Sequence, residues 1–130
     1  MTAEAMSVAL ADFLGDRVNP ASFHHADHVR VAFEMLRLHP FLEAAPVYAA
    51  RLKRLTARAG HPEAYHETIT VAFLALIAER CARGGHADFD AFAAANGDLF
   101  DKNVLSNWYR ADELAAPLAR NTFVLPRPRG

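Results

Sequence analysis

The chain has 130 residues, 52 % of them hydrophobic and 22 % charged, which is the size and composition of one globular domain and argues against disorder. Its net charge of −1 leaves no cationic surplus to meet a phosphate backbone, so nucleic acid is not an expected partner, and no apolar run approaches the ~18 residues of a membrane span. Met1 to Leu14 lacks the basic start and apolar block of a secretory signal, and a single cysteine, Cys81, rules out an internal disulfide; a cytoplasmic protein is expected.

The periodic signal is helical throughout, with few β-branched residues and no clean alternation. A first helix is predicted from about Ala3 to Leu14, with Gly15 after it and Asn19-Pro20 in the turn beyond. Ser22 is the predicted N-cap of a second helix reaching about Leu38, whose stripe is Val29, Ala32, Phe33 and Leu36. A third stretch runs from about Phe41 to Ala59 with Tyr48, Leu52 and Leu55 inward, and Pro46 must kink it or open its longer half. Pro62 to Arg83 is the most apolar segment and the expected central helix. Gly84-Gly85 breaks the chain; Asp88 caps a short helix, and Asp98–Tyr109 and Asp112–Arg120 read as further short ones. The expectation is a single all-α domain over residues 1–125, a bundle of about four main helices plus short C-terminal helices, with a flexible Pro/Arg tail at 126–130.

Seven histidines is a surplus for this length. His25 and His28 are three apart, and the stripe of Val29, Ala32 and Leu36 runs backward onto them, so they should point inward; His24 shares a face with His28. His66 precedes Ile69, Thr70 and Phe73 on a core-facing stripe, and Glu67 precedes Val71 and Leu74 on another. A buried carboxylate needs a cation, a metal or strong donors. Imidazoles from one helix with an imidazole and a carboxylate from a facing helix are the ligands that Zn, Fe or Mn accept. The expected site is therefore His25, His28 and His66 on a divalent metal, with Glu67 as ligand or general base, and His24, Glu63, Tyr65 and Thr70 as secondary candidates. His66-Glu67-Thr68-Ile69-Thr70 begins like a zinc-protease motif, but Thr70 stands where the second histidine belongs. Glu63-x-x-His66 is half of a di-iron signature with no second copy.

The plainer explanation is structural. Buried neutral histidines satisfy carbonyls and hydroxyls, and Glu67 could hold His25 or His28 in an ion pair. Elsewhere, Arg51, Lys53, Arg54 and Arg58 suggest a solvated basic face before a phosphate site, and Cys81 falls on a core stripe. Trp108 and Tyr109 close a core or cover a pocket mouth, and His39, His61 and His86 sit beside turns, where exposure is expected. There is no nucleotide-binding glycine loop.

Phe23-His24-His25-Ala26-Asp27-His28-Val29, Tyr65-His66-Glu67-Thr68 and the ending Trp108-Tyr109 through Phe123-Val124-Leu125-Pro126 resemble a group of short bacterial all-α proteins of uncharacterised function. The resemblance implies that His25, His28, His66 and Glu67 belong to the group's pattern and that His24 and Glu63 do not; it implies no activity.

Three functions are compatible with these residues. The first is a small metal-binding protein, or metal-dependent enzyme, acting on a small molecule. The second is a non-enzymatic helical interaction module, open to forming a homodimer, in which the cluster is a buried network. The third is a metal-free pocket whose histidines shuttle protons or hold an acidic ligand.

Overall fold

Ser7 starts the described chain: its hydroxyl accepts from the Leu10 N–H and caps α1, Val8–Leu14. In the computed structural model residues 7–128 are described, so the predicted start of this helix, Ala3 to Met6, lies outside them, as do Arg129 and Gly130 of the tail. After α1 come α2 (His25–Leu38), α3 (Phe41–Arg58), α4 (Glu67–Gly84), α5 (Phe89–Ala95), α6 (Ala111–Ala115) and α7 (Pro117–Asn121). Single 3-10 turns stand at Pro20–Ser22, Pro62–Ala64, Gly97–Phe100 and Val104–Asn107, and there is no strand among the described residues. The all-α, single-domain expectation holds.

Two helix starts differ from expectation, and each difference shapes the site. Ser22 does not cap α2. Asn19 accepts from the Ala21 N–H and, with Pro20, closes a separate turn. α2 then begins at His25, where the Asp27 carboxylate accepts from the His24 N–H at 2.8 Å. The segment from Pro62 is likewise not the start of the central helix. It forms its own turn, pinned by the Arg120 guanidinium donating to the carbonyls of Glu63 (2.8 Å) and Tyr65 (3.3 Å). The chain then runs extended through Tyr65, and His66 caps α4.

α4 is the central element, packed against α2, α3 and α7 and burying Thr68, Phe73, Leu74, Leu76 and Ile77. α3 passes unbroken through Pro46, which is exposed near the helix's N-terminal end. Asp98–Tyr109 resolves into two 3-10 turns, the first held to α4 by Arg80, which donates to Asp98 twice (2.9 and 2.8 Å) and to Asn96 (3.0 Å). The chain end is strapped across α4. Thr68 donates to the Thr122 carbonyl (2.9 Å) and accepts from the Val124 N–H (3.0 Å), while the Tyr109 hydroxyl donates to the Val124 carbonyl (2.7 Å).

Candidate functional site

Between α2, α3, α4 and the Val104–Asn107 turn lies a cavity of about 280 Å³. Its walls are mainly apolar, with Leu52, Ile69, Phe73 and Leu105, and its polar groups are His25, His28, Tyr48, Tyr65, His66, Thr56, Thr70 and Lys102. No acidic residue is among them. The size is at the lower end of the ~300–1,000 Å³ usual for small-molecule pockets.

The three predicted imidazoles share this cavity but stand in different chemical situations. His66 is fully engaged: its Nδ1 accepts from the Ile69 N–H at 3.1 Å, capping α4, and its Nε2 donates to the Leu114 carbonyl at 2.7 Å. These two bonds define its tautomer and leave it no lone pair to offer. His25 is half engaged, its Nε2 donating to the Leu99 carbonyl at 2.8 Å and its Nδ1 remaining an acceptor. His28 has no hydrogen-bond partner among the described residues. Its ring packs edge-on to Phe23 at 4.6 Å and lies 6.5 Å from the His25 ring, centroid to centroid. Burial, then the neighbouring His25, lower its pKa to about 4, opposed by Asp27. At neutral pH His28 is an uncharged imidazole with one donor and one acceptor to offer.

Tyr48 repeats the situation of His28 from α3. It is 1 % exposed, lines the cavity and finds no hydrogen-bond partner among the described residues; burial raises its pKa. Thr56, by contrast, donates to the Lys53 carbonyl at 3.0 Å.

Glu67 is displaced from its expected place. Its carboxylate accepts from the Tyr65 hydroxyl at 2.7 Å, and it does not line the cavity. The cause is the helix start: with His66 at the cap, Glu67 is the first residue of α4 and turns toward Tyr65 rather than toward α2. Burial and the bond to Glu67 both raise the Tyr65 pKa, with burial the larger cause. Of the secondary candidates, Tyr65 and Thr70 line the cavity, whereas His24 is exposed and Glu63 is exposed beside His61 at 3.2 Å.

These arrangements decide how the residues fit a metal. Among the described residues no three His, Cys, Asp or Glu side chains are grouped to hold an ion. His66 could become a ligand only by releasing the cap of α4 or the Leu114 carbonyl, and Glu67 only by leaving Tyr65. As they stand, the residues do not fit a three-imidazole centre.

Spacing left three polar cavity residues, Tyr48, Thr56 and Lys102, outside the predicted site. Tyr48 was legible as an inward residue of α3, but its lack of a partner was not. Lys102 carries no sequence signal, because it reaches the cavity from the loop between two 3-10 turns. Other candidates resolve into structure. Arg51 and Arg54 both donate to Asp16 at 3.0 Å, and Arg58 donates to the Val18 carbonyl, so part of the basic stretch clamps a turn where Asp16 adopts φ 57°. Cys81 is half-buried with its thiol pKa pushed up by burial, which makes it a poor nucleophile. Tyr109 is buried and closes the core, while Trp108 stays 41 % exposed beside a shallow apolar groove. His39 and His61 are exposed as expected; His86 is half-buried, edge-on to Phe92 at 5.4 Å.

Compared with family models, with curated proteins and with solved structures, the chain matches none.

Proposed function

We propose that the protein binds a small, largely apolar molecule in this cavity through its own side chains, with His28 and Tyr48 as the groups that recognise it. The observation that carries this reading is a pair of polar groups on facing helices, the half-buried His28 and the buried Tyr48, that line a mainly apolar cavity without a hydrogen-bond partner among the described residues. Two polar groups that the fold leaves unengaged at one cavity are free to bond to a molecule that enters it.

The pKa of His28 favours binding over acid–base catalysis by the free protein. A general base works best with a pKa near the working pH, and His28 at about 4 is a weak base at pH 7. It is suited to donating one hydrogen bond and accepting another, beside the free Nδ1 of His25.

The structural-network alternative applies to His66, whose two bonds fix α4 and α6, and fails to account for His28. His28→Leu separates the two roles. In the ligand-binding reading it keeps or raises stability in urea titration and abolishes binding of small molecules that perturb the imidazole NMR signals of the parent. A loss above about 2 kcal/mol, with ligand binding intact, would make His28 structural. Elemental analysis of untagged protein examines the metal expectation in parallel. Stoichiometric Zn, Fe or Mn would mean that His66 or Glu67 gives up its present partner on binding, and the metal-dependent reading would replace this one.

A further inference from the structure

Resting on that reading of the cavity, we infer that its ligand is a small monocarboxylic acid with an apolar body, held at its carboxylate by Lys102. Three observations converge. Lys102 lines the cavity and has no hydrogen bond or ion pair among the described residues. The cavity wall carries no acidic residue to neutralise it. The carboxylates next to cavity residues in sequence each accept from another donor: Asp27 from the His24 N–H, Glu67 from the Tyr65 hydroxyl, and Asp101 from the Asn103 N–H at 2.9 Å.

The remaining polar groups agree in kind. His28 and Tyr48 each supply a donor that a carboxylate can accept, and both are uncharged at neutral pH. One lysine with neutral donors balances one negative charge; a dianionic phosphate would leave a charge uncompensated in a mainly apolar cavity. An amine ligand would meet Lys102 as a like charge. Leu52, Ile69, Phe73 and Leu105 form the wall for the apolar body.

Lys102 is placed by the fold rather than by its own contacts. It follows Leu99, whose carbonyl is held by His25, and precedes Leu105, which enters the core. The loop is thus anchored on both sides of an exposed, unpaired cation at the cavity.

The test compares phenylacetate, phenylacetamide and phenethylamine at pH 7, followed through the His28 and Thr70 NMR resonances of the parent and of Lys102→Met. The acid is expected to bind at least about tenfold more tightly than the amide, the amine not at all, and Lys102→Met to bring the acid down to the amide's affinity while leaving the amide unchanged. Equal binding of acid and amide to the parent, or an acid preference that survives in Lys102→Met, would overturn the assignment of Lys102 and leave the cavity reading standing. Failure of all three compounds to shift either resonance would overturn the cavity reading and this inference with it.

Discussion

His66, at the cap of α4, and His28, on α2, line the same cavity, and they illustrate two uses of an imidazole set into a fold. His66 bonds to backbone through both nitrogens, so it behaves as part of the helix framework. His28, half-buried, has no hydrogen-bond partner among the described residues and stays uncharged at neutral pH. Their position in the cavity therefore does not separate the two; the count of satisfied nitrogens does.

The largest effect should come from removing the framework imidazole. His66→Ala strips the cap from α4 and leaves the Leu114 carbonyl without its donor, at a cost of roughly 3 kcal/mol in chemical denaturation. A loss under about 1 kcal/mol would erase the contrast with His28.

The contrast also has a pH signature. The pKa of His28 falls from 6.5 to about 4 on folding, so above 6.5 both states are neutral and it contributes no pH dependence. As pH drops below 6.5 the unfolded chain takes up a proton that the folded chain refuses, and stability declines until about pH 4, by at most about 3 kcal/mol in total. Carboxylates such as Asp98, held low by Arg80, add their own loss at acid pH. The informative quantity is therefore the difference between parent and His28→Leu denaturation curves across that window. Parallel curves would show that His28 is not buried as an uncharged group.

A smaller effect probes the strap that closes the far side of α4. Thr68→Val removes the donor to Thr122 and the acceptor for Val124, and should cost about 1–2 kcal/mol and speed amide exchange at Val124. The smallest change is expected at Tyr48→Phe, which deletes a hydroxyl with no partner and should leave ligand-free stability within about 0.5 kcal/mol. A larger loss would place Tyr48 with His66 in the framework.

Local pattern carried much of this. The apolar period of α2 runs back through Val29 to His28 and His25, which is why both could be assigned inward from spacing alone. The same logic failed at Glu67. Its period matched Val71 and Leu74, but α4 begins only at Glu67 itself, five residues after the predicted start at Pro62, and at a first turn the side chain follows the cap rather than the stripe. Ile69, placed inward by period, lies in the same first turn and is 40 % exposed at the cavity.

What the sequence by itself determined is the all-α class, the main helices and the face that carries His25 and His28, because helical period and breakers act over a few residues. Only the tertiary structure decided what each imidazole does. The carbonyls of Leu99 and Leu114 that engage His25 and His66, and the loop that brings Lys102 to the cavity, come from chain segments far away in sequence, and no local pattern encodes which distant carbonyl will meet a ring nitrogen.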